Sequence, residues 1–140
     1  MLAVFHKSKR GFTLIELMIV VVIISILAAL AIPRFMQAAT KTKQSEAKKI
    51  LKQIYVNERT YRQEKDFYAD YSGNDQSGGG SFPEIWIEIM QTARYTYAIT
   101  ADSNSFTATA SGNIDDDATV DIWTIDQSGN LQCTNNDVDG

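Results

Sequence analysis

The chain has 140 residues and a formal net charge of −4, with 44% hydrophobic and 21% charged residues. These totals fit one folded domain with an appended segment. The single cysteine, Cys133, excludes an intramolecular disulfide, so stability must come from packing. We expect Cys133 to be a small half-buried residue rather than a reactive thiol.

Charge is distributed unevenly along the chain. A basic stretch, Arg34 to Lys65, follows an apolar run and precedes an acidic remainder. From Asp66 onward Arg94 is the only base, against thirteen acidic residues. A region with this charge repels nucleic acid and anionic lipid.

The apolar run extends from Phe12 to Ile32 and contains 21 residues with a single charge. A helix of this length reaches about 30 Å, which spans the hydrocarbon core of a bilayer. A secretory signal peptide is the competing interpretation, but its apolar core is usually only about 7–15 residues. The run is longer than that, and no A-x-A-like cleavage site follows it. Because three bases flank it on each side, charge leaves its orientation open.

Glu16 is the one charged residue in the run. An ionised carboxylate there costs several kcal/mol, on the order of 3, unless it has a partner. It either extends to the lipid headgroups or pairs with a positive group on a neighbouring subunit, and position alone does not decide between these.

Pro33 predicts a kink or local loosening of the helix, because it lacks an N–H and crowds the carbonyl of Ala29. The helix is expected to resume at Arg34 and to run to about Phe67. Apolar side chains at three- and four-residue spacings predict one buried stripe along it: Ala47, Ile50, Leu51, Ile54, Tyr61 and Tyr68.

The segment K-R-G-F-T-L-I-E, followed by the apolar run and A-I-P-R-F, resembles the type IV pilins and related pseudopilins. It joins a short basic leader, a Gly-Phe junction, Glu16 at the fifth position after that junction and Pro33 at the twenty-second. The resemblance implies cleavage after Gly11 by a prepilin peptidase and N-methylation of Phe12. It also implies that Glu16 meets the N-terminal amine of a neighbouring subunit during assembly, and it assigns Pro33 to the same assembly motif.

The resemblance further implies a structural subunit of a type IV pilus filament that serves adhesion, motility or DNA uptake. Its partners would be other pilin subunits, the prepilin peptidase/N-methyltransferase, and an inner-membrane assembly platform with its ATPases. The chain would cross the inner membrane once before assembly and lie in a surface pilus afterwards. Two alternatives stay open: a type II secretion pseudopilin, although the D-P-W-G-like segment of that branch is missing, and a membrane-anchored binding protein that does not polymerise.

The predicted fold class is α+β, with a long N-terminal helix packed on a small antiparallel sheet. The predicted segments are a leader (1–11), a membrane or filament-core helix (12–33), an amphipathic helix (34–70), a mobile Gly/Ser-rich loop (71–81) and a β-sheet head (82–140). Residues 82–90 fit a strand or a short helix. Four β-prone runs follow, near Tyr95–Thr100, Ser105–Ala110, Thr119–Ile125 and Asn130–Thr134.

Oxygen-bearing side chains alternate at Asn113, Asp115, Asp117 and Asp121, as they do in calcium loops. The pattern is partial, because Ala118 stands where an EF-hand needs Gly and Thr124 where it needs Glu. A solvated acidic turn is therefore favoured over a calcium site, and no other cofactor is expected.

No enzyme is predicted, because removal of the leader also removes the only histidine, His6, and Cys133 has no activating partner in the sequence. Nucleic acid is not an expected partner. The lysines of the basic stretch, which include Lys41, Lys43 and Lys48, are expected to face acidic residues of adjacent subunits.

Overall fold

The computed structural model describes residues 11–115 and 117–138. The chain divides into two compact units at the boundary between Met36 and Gln37. Helix α1, Leu14–Lys65, is a single element in sequence that contributes to both units.

Pro33 lies inside helix α1 and does not end it. Proline removes one N–H donor, so the helix loses the bond to the Ala29 carbonyl while the residues on either side keep their own bonds. The strongly apolar residues before Pro33 and the good helix formers after it continue the same element.

Helix α1 ends at Lys65, earlier than the apolar stripe indicated. Asp66 follows in the left-handed conformation, with φ of 65°, and its N–H donates a 2.9 Å hydrogen bond to the Arg62 carbonyl. A left-handed residue after the last turn is a common helix terminus. Tyr68, the last residue of the predicted stripe, therefore lies beyond the helix but is still buried.

The main sheet is an antiparallel meander of four strands in sequential order. The strands are β3 (Thr96–Ala101), β4 (Phe106–Gly112), β5 (Asp121–Asp126) and β6 (Leu131–Asn135). Each of the four predicted runs forms one strand. In the β5–β6 turn Gly129 has φ of +80°, and a Cβ there would lie 2.8 Å from the Tyr55 ring, so this position requires glycine.

Residues 81–88 combine both structures that the sequence allowed. Strands β1 (Ser81–Phe82) and β2 (Ile87–Glu88) pair with each other, and a 3-10 turn, Pro83–Ile85, lies between them. Trp86 adopts the left-handed conformation at the end of that turn and is 86% exposed.

The Gly/Ser-rich loop makes backbone contacts with two other segments. Gln76 and Tyr97 exchange two backbone hydrogen bonds of 2.7 Å, which adds a bridge to the edge strand β3. Gly78 lies directly against the backbone carbonyl of Gln91, where a Cβ would come within 2.6 Å of the oxygen. The small residues thus allow close approach of two backbone segments.

The core of the second unit lies between one face of α1 and the meander. Ala47, Leu51 and Ile54 are fully buried on the helix, and they share one hydrophobic cluster with Tyr97, Ile99 and Phe106 of the sheet. Each large apolar side chain buried in this way contributes about 1.5–3 kcal/mol. The predicted α+β class is confirmed. The prediction for Cys133 is wrong, because β6 is the outer strand and Cys133 is exposed on it.

Candidate functional site

The N-terminal unit presents an apolar helix surface to its surroundings. The large apolar side chains from Phe12 to Met36 are exposed, with values between 43% and 75%. Within the described residues, α1 is the one helix long and apolar enough to cross a membrane by length and composition. A continuous apolar surface of this extent is too costly to leave in water, so it marks a surface for lipid or for other protein chains.

The first turn of α1 is closed by three reciprocal hydrogen bonds between Thr13 and Glu16. The Glu16 carboxylate accepts the Thr13 N–H at 2.9 Å and the Thr13 hydroxyl at 2.6 Å. The Glu16 N–H in turn donates to the Thr13 hydroxyl oxygen at 3.3 Å. This is a capping box, which satisfies two helix N–H groups that would otherwise lack partners. Sequence reasoning missed it, although the T-L-I-E signature before an apolar run was visible.

The capping box gives Glu16 a local role that is separate from pairing between subunits. It orients the carboxylate toward the start of the helix, beside Thr13, the residue that directly follows Phe12. The positive end of the helix dipole also favours a negative charge at this position. The arrangement therefore holds a carboxylate close to the atoms that would become the chain's amino terminus after cleavage.

Gly11 and Phe12 precede the helix, which begins at Leu14. A Cβ added to Gly11 would meet nothing within 4 Å, and its φ lies outside the left-handed region. Packing within the described residues therefore does not require glycine at this position. Phe12 is 75% exposed, so its side chain and backbone are accessible to another protein.

The acidic loop between β4 and β5 contains three of the four predicted calcium ligands. Asn113 accepts the Asp115 N–H, Asp115 accepts the Asp117 N–H, and Asp117 accepts the Thr119 N–H, so the side-chain oxygens organise successive turns. One carboxylate oxygen each of Asp115 and Asp117 lies within 4.8 Å of a carboxylate oxygen of Asp137. Asp137 is not one of the four ligands predicted for this loop, although the tail Asn135, Asp137 and Asp139 begins a similar alternation.

Asp121, the fourth predicted ligand, points elsewhere. It is fully buried, and its two oxygens accept hydrogen bonds from the Gln44 amide, the Tyr95 hydroxyl, the Trp123 indole N–H and the Asp137 N–H, at 2.8, 2.6, 2.6 and 3.2 Å. The burial and this bonding raise the pKa of the Tyr95 hydroxyl well above its ordinary value. Asp121, in β5, joins the helix, the residue before β3 and the C-terminal segment. It is outside the carboxylate group formed by Asp115, Asp117 and Asp137.

Two lysines of the basic stretch have specific partners in the head. The Lys43 ammonium donates to the Ile114 carbonyl, at 2.5 Å, and the Lys48 ammonium lies 4.1 Å from the centre of the Trp123 ring. Both side chains are partly buried. Their contacts attach the helix to the head, which explains them without nucleic acid.

The N-terminal part of the chain also matches known proteins in sequence. Residues 6–32 match the family model of the prokaryotic N-terminal methylation motif. The chain is 44% identical over 97 residues to the type IV major pilin protein PilA of Myxococcus xanthus, covering 69% of this chain and 40% of that protein. It is 36% identical over 102 residues to a fimbrial protein of Moraxella nonliquefaciens, covering 73% of this chain and 60% of that protein.

A third relative comes from the secretion branch. The chain is 47% identical over 49 residues to the type II secretion system core protein G of Pseudomonas aeruginosa, covering 35% of this chain and 34% of that protein. The match to the pilins thus extends over about twice as much of this chain. The aligned part spans 40% and 60% of the Myxococcus and Moraxella proteins, respectively.

The chain thus carries the prokaryotic N-terminal methylation motif, which extends into the apolar part of helix α1. The resemblance to the type IV pilins is confirmed.

Proposed function

We propose that this chain is a structural subunit of a type IV pilus, cleaved after Gly11, methylated at Phe12 and assembled through its apolar N-terminal helix. The observation that carries the proposal is the exposed apolar surface from Phe12 to Ile32 with Glu16 as its single charge. The pilin and fimbrial relatives support the same function.

The apolar surface suits two successive environments. Before assembly it lies in the lipid of the inner membrane, where a helix satisfies its own backbone hydrogen bonds. In the filament it packs against the same segment of other subunits. Since lipid tails and apolar side chains are similar in polarity, close packing and polar pairing drive the transfer. Exchanging lipid contacts for helix–helix contacts therefore changes the free energy of the apolar segment little, so subunits can remain in the membrane until they are assembled.

Glu16 supplies the polar pairing. Cleavage after Gly11 creates a new amine at Phe12, four residues from Glu16 in sequence. In a low-dielectric filament core, an amine of one subunit near the Glu16 carboxylate of another offsets the desolvation of both charges. The Thr13–Glu16 capping box positions the carboxylate for that contact.

The processing and assembly partners follow from this role. A prepilin peptidase/N-methyltransferase would cut and methylate the chain, and an assembly platform with its ATPases would supply the work of extraction. The chain itself would act structurally rather than as an enzyme. Its acidic head would face the outside of a filament on the cell surface, where like charges keep filaments soluble and apart.

A pseudopilin of a type II secretion system is the second candidate function, favoured by the similarity to core protein G. That similarity covers 35% of this chain, against 69% for the Myxococcus pilin, which makes the pilus the better-supported proposal. The third candidate, a membrane-anchored binding protein, would use the apolar helix as an anchor only.

Deletion of the gene, followed by complementation, separates these functions. The pilus proposal predicts that surface filaments seen by electron microscopy disappear and return on complementation, and that sheared filaments contain the chain. A pseudopilin would instead stop the release of secreted proteins while surface filaments remain. Intact filaments and intact secretion would leave the anchored binding protein.

A further inference from the structure

Three carboxylates from distant parts of the head converge at one point. Asp115 and Asp117 come from the loop between β4 and β5, and Asp137 comes from the segment after β6. One oxygen of each lies within 4.8 Å of the others. Asp115 and Asp117 are exposed, and exposed acidic groups of this kind are common without a ligand.

Asp137 differs because it is completely buried. Its Oδ2 accepts the Ile114 N–H at 2.9 Å, whereas its Oδ1 is buried without a hydrogen-bond partner among residues 11–115 and 117–138. A buried carboxylate oxygen without a partner is strongly unfavourable. Because two further carboxylates converge on Asp137, a proton or a bound cation is needed to complete this site.

The surrounding groups do not cancel the charge. The backbone N–H groups of Ile114, Asp117 and Thr119 donate to the three carboxylates and carry no formal charge. The Lys43 ammonium, which donates to the Ile114 carbonyl oxygen, supplies one positive charge near three carboxylates. Three negative charges in this space repel one another unless a cation lies between them.

The geometry points to a calcium site formed by Asp115, Asp117 and Asp137. Carboxylate oxygens are hard ligands, and Ca²⁺ takes about 6–8 oxygens at about 2.3–2.6 Å, so two of its ligands lie at most about 5 Å apart. Mg²⁺ binds at about 2.0–2.1 Å in a strict octahedron and usually keeps several waters beside one or two carboxylates, so three protein carboxylates suit Ca²⁺ better. Water completes the coordination on the exposed side of the loop.

The site corrects the ligand set that alternation in the sequence predicted. Asp121 is already saturated by buried donors, and Asn113 contributes its carboxamide to the turn by accepting the Asp115 N–H and donating to the Asp117 carbonyl. Asp137 replaces them. The cation thus joins the β4–β5 loop to the C-terminal segment rather than binding within one loop.

Binding there would fasten the last residues of the head. The segment around Asp137 is already tied to the helix by the Gln44 amide, which donates to Asn136 at 2.8 Å, and to β5 by the Asp137 N–H, which donates to Asp121. A calcium ion would add a link from this segment to the exposed loop. Its expected effect is therefore a more stable C-terminal segment.

The test uses the full processed chain in detergent, so it does not depend on filament assembly. CaCl₂ is titrated against the wild type, Asp137→Asn, Asp117→Asn and the control Asp75→Asn, an exposed acidic residue of another loop. Binding is followed by calorimetry and by the thermal unfolding midpoint, with MgCl₂ and with KCl at equal ionic strength as references. Asp137→Asn keeps an oxygen for the Ile114 N–H, which protects the fold.

The wild type and Asp75→Asn are expected to bind one Ca²⁺ with a dissociation constant of about 10⁻⁴–10⁻³ M, the range of extracellular modules. The midpoint should rise with calcium and not with KCl, and each of the two site variants should weaken binding at least tenfold. A midpoint that responds equally to CaCl₂ and KCl would overturn the site. So would site variants that bind calcium as the wild type does, while an Mg²⁺ response equal to that of Ca²⁺ would overturn the choice of metal.

Discussion

The side-chain amide of Gln44 donates a 2.8 Å hydrogen bond to Oδ1 of Asp121, and both residues are buried. This contact joins α1 to the first residue of β5. Because Asp121 also accepts from Tyr95, which directly precedes β3, one carboxylate of β5 holds the helix and the start of β3 in a fixed relation within the second unit.

Asp121→Ala should lower the free energy of unfolding by about 3 kcal/mol or more, since several buried donors lose their acceptor and each costs about 1–3 kcal/mol. Asp121→Asn should fall between this variant and the wild type, because the amide keeps one acceptor oxygen. Chemical unfolding followed by circular dichroism measures both. Asp75→Ala is the exposed control. An equal loss of unfolding free energy in that variant would show that the buried hydrogen bonds of Asp121 do not stabilise the fold.

Leu51→Ala should destabilise the second unit by about 2–5 kcal/mol, as expected for a fully buried leucine whose removal leaves a cavity. The matched control is Val56→Ala, on the same helix with a side chain that is 57% exposed. This control should change stability by about 0.5 kcal/mol or less. Similar losses in the two variants would mean that the helix face is assigned incorrectly.

Glu58 predicts a stability change with pH. It is buried, with Oε2 accepting the Ala69 N–H at 3.0 Å and Oε1 without a hydrogen-bond partner among the described residues. Burial raises its pKa from 4.5 to about 7, opposed by the Ala69 bond and aided by the charges of Glu84 and Asp70. The folded state then holds a proton that the unfolded state has released between these values.

Stability should therefore fall as pH rises from about 4.5 to about 7, by at most about 1.4 kcal/mol per pH unit, and level off above that range. Glu58→Gln should remove this slope. Asp70, Asp102 and Asp126 have lowered pKa values, so their contributions are lost only below the ordinary aspartate range. Unfolding curves at pH 5, 6 and 7 measure the difference, and identical slopes in wild type and Glu58→Gln would contradict the assignment.

The two roles of Glu16 can be separated with three variants. Glu16→Gln keeps the capping box and removes the charge, Thr13→Ala weakens the box and keeps the charge, and Glu16→Ala removes both. If charge pairing drives assembly, both Glu16 variants should lose surface filaments by at least tenfold while Thr13→Ala still assembles. Immunoblots of sheared filaments and of the membrane fraction measure this. Normal assembly of the Glu16→Gln variant would show that Glu16 acts only as a helix cap and that its charge is not needed.

Much of the fold was predictable because its signals are local. The 21-residue apolar run, the stripe that includes Leu51 and Ile54, and the four β-prone runs depend on periods within one element, and each formed the expected structure. The end of α1 was less clear, because Asp66 ends the helix through a backbone conformation that its residue type only weakly favours.

The acidic group was only partly predictable, because its members meet through the tertiary fold. Asp115 and Asp137 are 22 residues apart, and the meander alone brings the segment after β6 back to the β4–β5 loop. Asp121 has the right spacing for a loop ligand, but it begins β5 and turns toward Tyr95 and Gln44. By contrast, the Thr13–Glu16 capping box is a local signal, because its T-L-I-E signature directly precedes the apolar run in the sequence.

The most direct test of the pilin account is intact-mass and N-terminal analysis of the mature protein from its native membrane. We predict a mature chain that begins at Phe12 and carries one added N-methyl group. A variant in which a bulky residue replaces Gly11 should fold normally, since packing leaves that position open, but should stay uncut. A mature chain that still carries Met1, or one cut after the apolar run, would contradict the account.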